Sequence, residues 1–133
     1  MIYKERIRTS SREVLIDITS IIKNVVKRSN IVSGIAFIYV PHTTCGITIN
    51  ENADPDVKKD IINALANIGI ESISFYHLEG NSPAHVKSTI VGSSITVFIE
   101  NSDLVLGRWQ GIMLAEFDGP REREVWIKII KEL

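Results

Sequence analysis

Residues 94–131, SITVFIENSDLVLGRWQGIMLAEFDGPREREVWIKIIK, decide the fold class. Segments 94–100, 111–117 and 124–131 read as strands. Asn101, Ser102 and Asp103 form a turn, residues 104–106 lead into Gly107, and Asp118, Gly119 and Pro120 form a strong turn. Within 124–131 the alternation places Trp126 in the core. No long helix intervenes between these strands. The expected class is therefore α+β with largely antiparallel sheets, not a doubly wound parallel sheet.

The first half supplies the helices. Residues 2–9 and 14–18 read as strands, with Tyr3, Glu5 and Ile7 set against Ile2, Lys4, Arg6 and Arg8. Asp17 or Thr19 caps a helix whose apolar stripe is Ile18, Ile21, Ile22, Val25 and Val26, ending at Ser29 and Asn30. A buried strand at 34–40 is halted by Pro41, and 47–50 alternates as another. Asp54 and Pro55 open a second helix, with Val57, Ile61, Ile62, Leu65 and Ile68 inward and Gly69 as its stop. Residues 71–76 read as extended, and 83–90 as a short third helix closed by Gly92. Some eight short strands leave edges to be covered, and self-association is one way to cover them.

The chain of 133 residues is most simply one compact domain over 1–133, and 44% hydrophobic composition permits a real core. A net charge of -1 gives no electrostatic case for nucleic acid. One cysteine makes no internal disulfide. The first six residues are too charged for a signal peptide. No apolar run approaches the roughly 20 residues that span a bilayer. The expectation is a soluble, cytoplasmic protein with no membrane partner.

The three histidines, His42, His77 and His85, all fall in polar, structure-breaking stretches beside apolar segments. Imidazole titrates nearest neutral pH and is the commonest metal ligand. A shared site is therefore the leading chemical expectation, with all three holding a divalent ion (Zn or Mg) or His42 and His85 acting as acid and base with Glu51. The other reading of His77 and His85 is local: one ends a strand, the other begins a helix, and each is satisfied by a hydrogen bond. Thr43 and Thr44 can bind phosphate, or simply turn a hairpin. Glu51 and Asn52 are not needed to cap the helix that Asp54 starts, so they can line a pocket at its N-terminus. Asn81 lies near the two later histidines. Lys87 and Arg121 are phosphate candidates, although Arg121 serves equally as a surface ion pair. Trp109 can pack over a pocket while Gln110 offers an amide, or be an ordinary buried Trp between glycines. A lone Cys45 is more often a small buried filler than a nucleophile.

Four blocks carry a resemblance: HTTCGITINENADPDV (42–57), EGNSPAHVKS (79–88), LGRWQGI (106–112) and EFDGPR (116–121). In order and spacing the chain resembles the YjbQ-type family, once called uncharacterised protein family 0047. Cys45 stands where many members have Ala, and Arg108 where Thr is common. The resemblance implies a compact α+β fold, a homotrimer, and pockets near subunit boundaries lined by His, Asn, Glu and Gln. It also implies a secondary thiamine-phosphate synthase type of activity, in which a hydroxymethylpyrimidine diphosphate couples to a thiazole phosphate and releases pyrophosphate. The expectation is thus an enzyme on a small phosphorylated metabolite. The alternative is a non-catalytic trimeric protein that binds a metal or metabolite.

Overall fold

The computed structural model describes residues 1–133. β1 (Tyr3–Arg8) and β2 (Val14–Asp17) lead to α1 (Thr19–Ser29), then β3 (Gly34–Tyr39) and β4 (Cys45–Glu51). Next come α2 (Pro55–Ala66), a single 3-10 turn (Ile70–Ser72) and α3 (Ser82–Val91). β5 (Ser94–Glu100), β6 (Asp103–Leu104), β7 (Gln110–Glu116) and β8 (Glu122–Lys131) follow.

Every strand pairing is antiparallel. One sheet has the order β1-β8-β3-β5-β6; the other has β2-β7-β4. The expected α+β class with antiparallel sheets, two main helices and a shorter one is what the chain adopts.

Period-two alternation decides which side chains each sheet buries. Ala36, Ile38, Val97, Ile99, Val125 and Ile127 point inward from the five-stranded sheet. They meet Cys45, Ile47, Ile112 and Leu114 of the three-stranded sheet and Ile22, Val25 and Val26 of α1 in one core. The opposite face of the three-stranded sheet, through Leu15, Met113, Ala115 and Phe117, packs on Ala84 of α3 and on Ile61, Ile62 and Leu65 of α2. β7 is therefore covered on both faces, which explains its almost unbroken apolar run.

Cap chemistry sets the helix ends. The Asp54 side chain accepts from the Asp56 N–H at 2.9 Å, and Pro55 occupies the first turn of α2. α1 stops at Asn30, whose φ of 59° is left-handed. α3 runs close against β4. A Cβ on Gly46 would sit 2.7 Å from the Gly92 carbonyl oxygen, so only glycine admits this approach.

Three expectations need correction. Residues 71–76 form no strand: the 3-10 turn covers Ile70–Ser72 and an irregular loop follows. Ile68 lies beyond the end of α2 and is half-exposed. Trp126 is not core. Val125 and Ile127 take the inward positions of β8, so Trp126 faces outward, beside Tyr39 and beneath the Lys4 ammonium.

Candidate functional site

Pro41 ends the hydrogen-bonded run of β3, and residues 41–44 carry the chain from one sheet to the other. Three ties hold this crossing. His42 Nε2 accepts the Glu124 N–H at 2.9 Å. The Thr44 carbonyl accepts the Phe117 N–H at 3.2 Å. The Arg123 guanidinium donates to Thr44 Oγ1 at 2.8 Å and to its carbonyl oxygen at 3.2 Å.

Facing this crossing is α3. A cleft of about 450 Å³ lies between them, lined by His42, Thr43, His85, Ser88, Thr89, Gly92 and Ser93. Its lining is all polar side chains and glycine, and includes no carboxylate. The Ser88 hydroxyl donates to the Cys45 carbonyl at 2.7 Å and that of Thr89 to the His85 carbonyl at 2.9 Å. Thr43, Ser93 and the two imidazoles keep donors for a ligand.

His42 has a fixed role in this geometry. Because Nε2 accepts a backbone N–H, the ring's proton resides on Nδ1. Burial, then the nearby Arg123 charge, hold His42 below the usual histidine range, outweighing the carboxylates of Glu124 and Glu116. At neutral pH the ring is uncharged and presents a single N–H.

The histidines converge in part. His85 lines the cleft with His42 and meets His77 edge-on, ring centroids 5.5 Å apart. His77 Nε2 is 3.6 Å from Glu79 Oε1. No group of three or more His, Cys, Asp or Glu side chains is arranged to hold an ion, and the Nε2 lone pair of His42 is already engaged.

The other expected site residues divide between two ends of the three-stranded sheet. Asn81 lies one helical turn before His85; its Nδ2 donates to Asp118 at 2.9 Å, while its Oδ1 is buried without a partner. Such orphaned acceptors are rare and mark a place for a donor. Arg121 is half-exposed and folded back on Asp118 at 3.0 Å. Lys87 is 1% exposed, its ammonium bridging Glu13 at 3.2 Å and also Glu71, so it does not reach the cleft as expected of a phosphate ligand.

Glu51, Asn52, Trp109 and Gln110 gather at the far end. Glu51 lies opposite Gln110 in the β4–β7 register, the Asn52 N–H donates to the Trp109 carbonyl at 2.7 Å, and Trp109 is 55% exposed. At roughly 3.4 Å per residue, β4 separates this group from the histidine end by about 20 Å. Glu51 therefore does not join His42 and His85 in one chain, contrary to the expectation for a catalytic trio.

What the sequence reading missed is the buried pair beneath Thr44. Glu116 is 0% exposed and Arg123 is 3% exposed. The pair is a forked ion pair, completed by the Thr9 hydroxyl donating to Glu116 at 2.8 Å and the Asp118 N–H at 3.0 Å. Burial opposes the charge on Glu116, but Arg123, Asp118 and Thr9 together hold its carboxyl below the usual range. Register held the clue: Arg123 shares its face of β8 with Val125 and Ile127, so a charge at that position points inward.

A family model described as "UPF0047 protein YjbQ-like" matches residues 4–132. The chain belongs to this family. It is 56% identical to a UPF0047 protein of Methanocaldococcus jannaschii over 98% of its own length and 94% of that protein's. A YjbQ/UPF0047 family protein of Clostridium acetobutylicum superposes with a TM-score of 0.93 at 48% identity, covering 96% of this chain and 99% of that one. A protein of unknown function from Sulfolobus solfataricus gives a TM-score of 0.93 at 32% identity, covering 99% and 97%. The Clostridium protein is described as uncharacterised and the Sulfolobus one as of unknown function, so the family is assigned and its reaction is not. No helix is long and apolar enough to cross a membrane.

Proposed function

We propose that the cleft between residues 41–44 and α3 binds the phosphoryl end of a small metabolite, and that the chain is an enzyme of the secondary thiamine-phosphate synthase type. The observation that carries this reading is the lining: two imidazoles and free hydroxyls, with no carboxylate to repel an anion. In that reaction the thiazole nitrogen attacks the pyrimidine methylene carbon, the carbon–oxygen bond breaks, and its electron pair leaves with pyrophosphate. His42 Nδ1–H and His85 would hydrogen-bond the departing oxygens, where negative charge develops. A divalent ion, Zn or Mg, enters this proposal only as a companion of the diphosphate.

The working unit we propose is a homotrimer. Phe37, Tyr39 and Ile130 are nearly half exposed and Phe98 is 65% exposed on the outer face of the five-stranded sheet, an apolar surface suited to self-association. A neighbouring copy is also what would bring a Glu51–Trp109–Gln110 group towards a histidine cleft.

The test is turnover: the protein with both thiamine precursors and Mg²⁺ should yield thiamine phosphate and pyrophosphate, at least tenfold more slowly in His85→Ala. An unchanged rate in His85→Ala refutes the assignment. With no carboxylate in the lining to help hold a divalent ion beside the diphosphate, one second reading is favoured: a metabolite-binding protein without turnover. Pyrophosphate binding with no product from the precursors would select it.

A further inference from the structure

A buried ion pair is an inefficient way to stabilise a core, because two charges lose their water and apolar residues of equal volume serve as well or better. The position of Glu116–Arg123 gives it another purpose. Arg123 stands immediately before Glu124, whose N–H fills the Nε2 lone pair of His42. The same guanidinium holds Thr44 through both its hydroxyl and its carbonyl oxygen. Glu116 is the last residue of β7, and Phe117 beside it donates to the same Thr44 carbonyl. The crossing that bears His42 is thus gripped from two strands, and both grips meet at one fully buried carboxylate–guanidinium pair.

We propose that Glu116 and Arg123 are positioning residues: by locking Thr44 and the start of β8, they fix His42 as the tautomer that turns Nδ1–H towards the ligand cleft. The role of that N–H in ligand binding rests on the function proposed above; the locking itself does not. The guanidinium is needed for its shape. It spans two Glu116 oxygens while still reaching both oxygens of Thr44. An ammonium is a single point donor and cannot reproduce this fork. Thr9 closes the network, since its hydroxyl donates to Glu116 and accepts the Arg121 N–H at 2.9 Å.

The experiment is long-range ¹H–¹⁵N NMR of the histidine rings in the full chain at pH 8, with pyrophosphate titration alongside. The wild type should show His42 as one tautomer, Nδ1 protonated and Nε2 bare. In Arg123→Lys and in Thr44→Val, which leaves the ion pair intact, the two ring nitrogens should move towards the average of both tautomers. Pyrophosphate affinity should fall about tenfold in both variants. A purely structural pair would instead lower Tm while leaving His42 a single tautomer, and that result overturns the proposal. If Arg123→Lys does not fold, Thr44→Val decides alone: an unchanged tautomer refutes the lock. A tautomer that responds in a protein that binds no pyrophosphate upholds the lock and rejects the proposed ligand.

Discussion

Replacing Arg123 with methionine removes the positive partner of a carboxylate that has no solvent exposure. Glu116 would keep the Thr9 hydroxyl and the Asp118 N–H, but no charge opposite its own, and Thr44 Oγ1 would lose its donor. Breaking a buried pair from one side costs about 3–5 kcal/mol. Domains of this kind have roughly 5–15 kcal/mol in total, so the loss is easily read by urea denaturation at fixed protein concentration. The pH dependence gives a second signature. In the wild type the folded-state pKa of Glu116 is depressed, so its contribution is complete above its usual value of 4.5 and disappears as pH falls through the folded pKa. Without Arg123, burial dominates and the folded-state pKa rises above the unfolded one. Stability is then retained at low pH and lost as pH rises, by up to about 1.4 kcal/mol per unit. The gap between wild type and variant should therefore widen from pH 4.5 to pH 7. The double change Glu116→Leu with Arg123→Met removes both charges and should recover most of the loss. An Arg123→Met protein within about 1 kcal/mol of wild type at pH 7, with no pH trend of its own, would refute the reasoning.

Gly46→Ala would drive a methyl to 2.7 Å from the Gly92 oxygen and 2.9 Å from Val91 Cγ1; thermal melts should show a loss of about 1–3 kcal/mol, and an unchanged melt would mean that β4 and α3 separate freely. Cys45 is buried and its thiol is pushed up to about 11, so thiol reagents at pH 8 should modify it only after unfolding; rapid labelling of native protein would contradict its burial. The depressed pKa of His42 means it contributes stability above the ordinary 6.5 that fades as pH falls through the folded value; its ring-proton titration should have a midpoint below 6.5, and one at or above that value would remove the argument for a neutral donor.

The fold was largely legible in the sequence because hydrophobic period and turn chemistry are local. Asp54–Pro55 marked the start of α2 and Asn30 the end of α1. For Trp126 the alternation was read in the wrong phase: its neighbours Val125 and Ile127 hold the inward positions of β8. The 3-10 turn at Ile70–Ser72 escaped notice because a single turn has no period to detect. The site was legible in chemistry more than in geometry. His42 and His85 do share a cleft, but nothing local shows that β4 carries Glu51 away from them. Lys87 looked like a phosphate ligand because its carboxylate partners, Glu13 and Glu71, are distant in the chain. Glu116 and Arg123 were missed for the same reason, since each is an ordinary charged residue until the fold joins them across the Asp118–Pro120 turn.

Calorimetric titration of pyrophosphate into the wild type and into His85→Ala addresses the cleft itself. Saturable binding near one per chain, weakened at least tenfold by the substitution, is the expected result. No binding, or equal binding by both proteins, would show that the two imidazoles and their hydroxyl neighbours do not form an anion site.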